Sequence, residues 1–267
     1  MEKQLIMNNI RAFVKLTQLS KLQGFLLPIA LLLLWSFLSH RSNAYSYAFV
    51  PLPEIWAGFV ADIRSGELLG AAYGTIHNAI IGLVIGSTAG FVIGSLMAVF
   101  RVADLFIGPL YHALRQVPLM GWIPLIGLWL GNGETSELFM VSLAALFPMG
   151  LNTYEGIRHV EQKFLEVGKI YRLSRMQQFL RIILPSALPS VLTGLLQSLA
   201  FAWLSTVGSE LLFTNGAGLG GLMETSQMAS KMDMVVVCII SIGIAGLILN
   251  SGLLRLSKHL LRWREVA

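Results

Sequence analysis

The sequence predicts an all-α polytopic membrane protein, on the evidence of its composition, its apolar runs and the placement of its basic residues. Only 12% of the 267 residues are charged and 55% are hydrophobic, whereas an ordinary soluble domain has about 25% charged residues. Long apolar runs occupy 79–100 and 234–254. A helix needs about 20 such residues to cross a hydrocarbon core. The chain therefore has the segments of a membrane protein and too little charge to cover a water-exposed surface.

Six transmembrane helices are predicted from the apolar runs. In chain order the predicted spans are 24–39, 72–100, 105–130, 137–154, 185–212 and 234–257. The first span also has the pattern of a signal peptide, but we expect it to be retained because the rest of the chain is itself a membrane protein. Prolines and glycines inside 105–130 predict a bent, interrupted helix there.

The basic residues predict an orientation with both termini in the cytoplasm. Fifteen of the 19 lysines and arginines lie in the segments that this orientation makes cytoplasmic, and the outer segments hold only Arg41, Arg64 and Lys231. Such an asymmetry is the positive-inside rule, and it predicts a multi-pass protein of the bacterial inner membrane. Because topology accounts for the net charge of +5, no nucleic-acid partner is expected.

A glycine motif and the scattered histidines argue against a nucleotide site or a metal site. Gly216, Gly218 and Gly221 have the G-x-G-x-x-G spacing, but they follow a predicted membrane helix on the outer face, where a dinucleotide fingerprint would follow a strand. We interpret them as a tight re-entrant turn. A Walker-type phosphate loop does not occur in the sequence, so the chain is not expected to hydrolyse ATP by itself. We predict no catalytic residue and no bound metal.

The longest predicted cytoplasmic loop, 152–195, predicts two short amphipathic helices. The first covers roughly 161–171, and the second follows Ser174, which forms an S-x-x-Q capping box with Gln177. Apolar faces of this kind either fill a groove on another protein or lie on anionic lipid headgroups. Both interpretations are open at the level of this loop alone.

The loop also contains a family motif. The stretch "EVGKIYR", nine residues, then "IILP" resembles the E-A-A-x-x-x-G, nine residues, I-x-L-P signature of binding-protein-dependent ABC transporter permeases. Stretches at 117–137, 147–158, 209–212 and 218–220 resemble the sulfonate, taurine and nitrate subfamily, and the similarity extends over roughly 50–264. The resemblance implies that a partner ATPase is contacted around Glu166, Val167, Gly168, Arg172, Leu184 and Pro185.

Several residues depart from the family pattern. Val167 and Gly168 replace two alanines, and Arg172 replaces the glycine that makes the turn between the coupling helices. An arginine in a left-handed conformation would cost about 1 kcal/mol or more, so we expect a different turn or a specialised ATPase contact. Asn78 stands where an arginine is common in this subfamily.

The resemblance implies a type I ABC importer permease. Residues 1–50 would form an N-terminal cytoplasmic segment and the first transmembrane helix, and residues 51–267 a permease core with coupling helices at about 155–184. The implied partners are a second copy of the chain, two ATP-binding subunits, a periplasmic or extracellular solute-binding protein and membrane lipids. The chain would bind no cofactor, since ATP and magnesium would be used by the ATPase.

The solute implied by the resemblance is a small anion, with aliphatic sulfonate or taurine favoured. Nitrate, bicarbonate, an aromatic acid and a thiamine precursor stay open. The alternative class is an ATP-independent secondary transporter, which usually has internal repeats or intramembrane carboxylates. Neither feature is evident from the sequence.

Polar residues and helix breakers within the spans are candidates for the translocation path, because burying polar groups in hydrocarbon is costly. The alternatives are hydrogen bonding between helices and simple kinks, and Glu210 is either a gate residue or an acid at headgroup level. The candidate residues are His77, Asn78, Pro118, Trp122, Pro124, Gln197, Ser205, Ser209 and Glu210.

A stripe of four glycines marks the second span. Gly82, Gly86, Gly90 and Gly94 recur every four residues and therefore lie on one helical face. Repeated small residues at this spacing let two helices pack closely. We expect a packing role rather than contact with solute.

Overall fold

The computed structural model describes residues 26–41, 49–213 and 218–262, and within these ranges it contains helices and no strands. The predicted all-α class is therefore confirmed. A 3₁₀ turn at Leu119–Trp122 precedes α5, and Phe179–Ile183 form a π-helical turn within α8. The helices are α1 Leu26–Ser39, α2 Leu52–Ser65, α3 Glu67–Val99, α4 Arg101–Leu114, α5 Ile123–Leu130, α6 Glu134–Arg158, α7 Gln162–Ile170, α8 Arg175–Phe213, α9 Gly218–Met228 and α10 Met232–Leu260.

The predicted number of six apolar spans is wrong for the described part of the chain. Three helices, α3, α8 and α10, are long and apolar enough to cross a membrane, and a fourth candidate is the broken pair of α4 with Leu119–Leu130. Within the described residues α1 has only 14 residues. Helix α6 has 25 residues but carries Glu134 and Glu137 in its first turn. It packs between α3 and α8, so much of its surface meets protein and need not be apolar.

The centre of the molecule is formed by α3, α6 and α8. Helices α3 and α6 run parallel, because Gly82 approaches Val141 and Gly94 approaches Gly150. A Cβ atom placed on any of the four stripe glycines would lie within 3.1 Å of a carbon atom of α6. The stripe is thus the surface on which the two helix backbones meet. Helix α8 runs antiparallel to α6, and Ser198 donates a hydrogen bond to the Ala145 carbonyl at 2.8 Å.

The predicted interruption of the third span is confirmed. Helix α4 ends at Leu114, and the chain bends by 95° before it continues through Leu119–Leu130. Pro118 stands at the bend and disfavours a helical conformation in the residue before it. Pro124 lies in the first turn of α5, where a proline is tolerated because the missing N–H would have no helical acceptor.

The two ends of the helical core differ in charge. We call the end formed by the last turn of α6, by α7 and by the first turns of α8 the basic end; it carries Arg158, Lys163, Lys169, Arg172, Arg175 and Arg181. The opposite, distal end contains the start of α3, the end of α8, and α9. A cluster of buried residues closes this distal end: Val50, Ile55, Leu68, Leu219, Leu222, Val237 and Cys238.

Replacing Gly90 with alanine is expected to destabilise the α3–α6 contact. The new Cβ would lie 3.0 Å from both the Gly150 nitrogen and the Met149 Cβ, so backbone atoms must move, and overpacking of this kind costs about 1–3 kcal/mol. Thermal unfolding of the purified chain in detergent measures the effect. Gly70→Ala is the matched control on the same helix, because nothing lies within 4 Å of its Cβ position. An equal stability of the two variants would contradict the packing role.

Candidate functional site

The coupling motif forms a helical hairpin at the basic end. Helix α7 ends in a turn in which Arg172 N–H donates to the Lys169 carbonyl and Leu173 N–H to the Gly168 carbonyl, both at 3.0 Å. This bond pair is the Schellman motif, which requires a left-handed residue after the helix. Arg172 takes that conformation, with φ of 51°. The arginine therefore keeps the turn that the family glycine would make, at a cost in backbone strain.

Local bonds fix how the second arm of the hairpin begins. The predicted capping box is confirmed: Gln177 N–H donates to the Ser174 hydroxyl at 3.3 Å, and Ser174 N–H donates to the Gln177 side chain at 3.0 Å. Gln178 Nε2 then donates to the Leu165 carbonyl at 3.1 Å, which joins the two arms. Gly168 lies where they come closest, since a Cβ there would be 2.8 Å from Ile182 Cδ1.

The hairpin presents apolar side chains among basic ones. Glu166, Arg172 and Pro185 are exposed, whereas Leu184 is half-buried. A groove of about 570 Å³ lies between the end of α6, α7 and the start of α8. Such a surface suits a protein partner because its exposed apolar residues form anchors with a charged rim. The exposed apolar residues are Phe164, Val167, Ile170, Tyr171, Met176 and Leu180.

A buried polar cluster at the distal end ties three helices together. The Thr75 hydroxyl on α3 donates to Glu210 Oε2 on α8 at 3.0 Å and accepts the Leu219 N–H of α9 at 2.8 Å. The Gly220 N–H donates to the same carboxylate oxygen at 2.8 Å. Glu210 is only 1% exposed, and its bonds link α3, α8 and α9 within the protein.

A second buried carboxylate lies at the same end. Asn78 Nδ2 donates to Glu137 Oε1 at 3.0 Å, and Glu137 is 1% exposed. The sequence reasoning did not bring Glu137 and Glu210 to the same end of the core. The sequence reasoning also missed Thr75 as a partner. An acidic residue inside an apolar run was the available signal, but nothing in the sequence shows which side chain it contacts.

The other candidate path residues are spread over the core. Ser205 and Ser209 are buried on α8, and Ser209 donates to the Thr206 carbonyl of its own helix. Trp122 packs against Ile126, next to Pro124. His77 is exposed and its ring lies against Tyr73. These side chains do not converge on one point.

Pro118 and Gln197 are the two candidates that share a cavity. The cavity measures about 390 Å³ and lies beside the break after α4, between α6 and α8. Gln197 accepts a hydrogen bond from Asn152 Nδ2 at 2.9 Å. The glycine turn predicted around Gly216 falls at 214–217, outside the described residues, and the chain is helical from Gly218, whose φ is 83°.

The described residues contain no group of three or more histidine, cysteine, aspartate or glutamate side chains arranged to hold a metal ion. An apolar core with a broken span and an exposed basic hairpin at one end defines a helical membrane protein with a charged face at that end. This is the class of an integral-membrane transport subunit.

The comparison with known proteins narrows the class to a family. Residues 82–265 match the family model described as "Binding-protein-dependent transport system inner membrane component". The chain belongs to this family of ABC importer permeases, whose members are transport subunits of the inner membrane. The resemblance drawn from the motif around Glu166 is thus confirmed.

Three relatives within the family are 26% to 33% identical to this chain. The "Putative aliphatic sulfonates transport permease protein SsuC" of Bacillus subtilis (strain 168) is 33% identical over 91% of this chain and 88% of its own length. The protein of the same name from Escherichia coli (strain K12) is 31% identical over 92% and 93%. The "Nitrate import permease protein NrtB" of Leptolyngbya laminosa is 26% identical over 83% and 81%.

The fold is shared with a solved ABC importer. An inward-facing structure of the MetNI methionine ABC transporter matches 76% of this chain and 99% of the matched chain, with a TM-score of 0.53 and 16% identity. At this identity the match concerns the fold alone. It supports the predicted type I importer permease architecture.

Replacing Thr75 with valine is expected to destabilise the distal end. The change removes the hydroxyl that bonds Glu210 and Leu219 and leaves the buried Leu219 N–H without its hydroxyl acceptor, which costs about 1–3 kcal/mol. Thr75→Ser keeps the hydroxyl and serves as the control. Thermal unfolding in detergent should rank the proteins wild type, serine variant, valine variant. Equal stability of the valine and serine variants would refute the stabilising role of the Thr75 hydroxyl.

Replacing Arg172 with glycine is expected to stabilise the hairpin turn. Glycine adopts a positive φ without the Cβ clash, so up to about 1 kcal/mol of strain is relieved. Arg172→Ala removes the same charged side chain but keeps the Cβ atom, and it should show no such gain. Hydrogen exchange of the Leu173 amide measures the local effect. Faster exchange of the Leu173 amide in the glycine variant than in the alanine variant would contradict backbone strain at Arg172.

Proposed function

We propose that this chain is the membrane-spanning permease of an ATP-driven importer for a small anion, with an aliphatic sulfonate or taurine as the solute. The observation that carries the proposal is the exposed coupling hairpin on a core of the importer permease family. The names of the two SsuC relatives support the sulfonate, and the nitrate permease relative supports nitrate as the second candidate.

The hairpin would dock into a groove on each ATP-binding subunit. Ile170 and Tyr171 at the tip of α7 are 77% and 75% exposed, and burying two side chains of this size contributes about 1.5–3 kcal/mol each. Two ATP-binding subunits would serve a dimer of this chain, and they would use the ATP and magnesium. The permease itself would bind no cofactor.

The orientation proposed from the basic residues places both termini and the hairpin in the cytoplasm. The distal end would then face the side where a solute-binding protein delivers its cargo, and lipids would cover the outside of the core. Exposed leucines and phenylalanines on the outer helix faces suit this contact, for example Leu128 at 79% and Phe106 at 79%.

Substituting Ile170 with aspartate is expected to abolish docking and uptake. A carboxylate in an apolar interface loses its hydration without gaining a partner. Met228→Asp is the matched control, since Met228 is 76% exposed at the distal end. Co-purification of the ATP-binding subunit and uptake of labelled taurine, ethanesulfonate and nitrate are measured in the source organism.

The wild type should import ethanesulfonate and taurine, and the Ile170 variant should import neither. The Met228 variant should still co-purify with the ATP-binding subunit. Import of nitrate alone would make nitrate, the second candidate, the proposed solute. Unimpaired co-purification with the Ile170 variant would refute the docking surface, and no ATPase bound to the wild-type chain would refute the importer.

A further inference from the structure

The cavity beside the broken span has a mixed lining. It measures about 390 Å³, within the range of sites for small molecules. Three of its lining residues have polar side chains, Arg115, Gln116 and Gln197. The other lining residues are apolar and include Phe147 and Phe201. A cavity of this kind offers one charged region within a largely apolar wall.

Arg115 lies deep along the helical core. It follows the last residue of α4, and its N–H donates to the Tyr111 carbonyl at 3.1 Å. Asp104, in the first turn of α4, forms an ion pair with Arg158 at the basic end at 3.0 Å. Eleven residues of helix separate Asp104 from Arg115, which is about 16 Å at 1.5 Å per residue. Arg115 therefore lies within the predicted third span, away from the ion pair at the basic end.

The protein gives this cation no counter-charge among the described residues. Their ion pairs are Arg158 with Asp104 and Lys163 with Glu161, so no carboxylate of the described chain lies within 4 Å of Arg115. A cation at membrane depth is costly, and such residues usually pair with a charge or face a water-filled path. An arginine that lines a cavity and has no carboxylate of the described residues within ion-pair distance fits a ligand of negative charge.

The neighbouring polar group is also a donor. Gln197 Oε1 accepts a hydrogen bond from Asn152, and the amide nitrogen of Gln197 carries two hydrogens that can be donated to a ligand. A planar guanidinium donates two parallel bonds to an oxyanion. Together these groups can satisfy an oxyanion, while the apolar lining can hold an alkyl group.

We propose that this cavity is a solute-binding site on the translocation path, in which Arg115 binds the negative headgroup of a small organic oxyanion and Gln197 donates to the same headgroup. The apolar lining accepts a short alkyl chain and so favours an alkanesulfonate over nitrate. The proposal rests on the proposed importer function, but it concerns binding within this chain and is tested by binding as well as by uptake.

The binding test uses the purified full chain in detergent with a cysteine reporter in the cavity. Cys238 is the single cysteine and is buried, so Cys238→Ser gives a background into which Gln116→Cys is introduced. A charged methanethiosulfonate should label this cysteine, and ethanesulfonate should slow the labelling, whereas the neutral ethanesulfonamide should not. Adding Arg115→Gln should abolish the protection, and Arg115→Lys should retain part of it.

The uptake test compares chromosomal variants in the source organism. Arg115→Gln should lower ethanesulfonate uptake at low concentration about tenfold or more, as expected for losing one charge-assisted hydrogen bond. Arg101→Gln, at the exposed start of α4, is the matched control and should transport normally. Membrane abundance and the amount of co-purified ATPase separate a binding defect from a failure to assemble.

The outcomes distinguish the inference from the function on which it rests. The binding site is overturned if the Gln116→Cys variant is not labelled. It is also overturned if ethanesulfonate does not slow the labelling when Arg115 is present, or if it still slows the labelling in Arg115→Gln. Normal uptake by Arg115→Gln also overturns it and leaves the importer standing. If wild-type cells import no ethanesulfonate but the purified chain shows Arg115-dependent protection, the sulfonate substrate fails and the oxyanion site stands.

Discussion

The close parallel contact of α3 with α6 is the constraint on which the rest of the structure depends. Four glycines remove the side chains between the two backbones, so α6 is held against α3 along its length. Helix α8 then packs on the pair and runs in the opposite direction. The polar cluster at the distal end and the cavity at the break form only because these three helices are fixed in register.

The features that the sequence could predict are those encoded in a few neighbouring residues. The break at Pro118, the capping box of Ser174 and Gln177, and the motif around Glu166 each follow from local chemistry, and the structure or the family match confirms them. In the described part of the chain, fewer helices than the predicted six are apolar enough to count as spans, because a helix that packs inside the protein need not have an apolar surface. Helix α6 meets protein on much of its surface.

The missed features depend on contacts between distant residues. Thr75 and Glu210 are separated by 135 positions, and no local pattern pairs them. Arg172 was expected to change its turn or to mark a specialised ATPase contact, and the turn retains the two Schellman bonds. The side-chain penalty at that position is small enough for the surrounding hydrogen bonds to offset. An arginine at a left-handed position therefore indicates backbone strain, but it does not show whether the turn changes to avoid that strain.

Helix α8 extends from the coupling hairpin to the distal carboxylate without leaving helical geometry, over 39 residues and about 58 Å. It therefore joins the basic end directly to the buried polar cluster around Glu210. The π-helical turn at Phe179–Ile183 and Pro189, which lies inside the helix, fall near the base. Such irregularities are where helices bend. The positions at which α8 can bend thus lie next to the exposed hairpin, and the part of the helix that carries Glu210 lies beyond them.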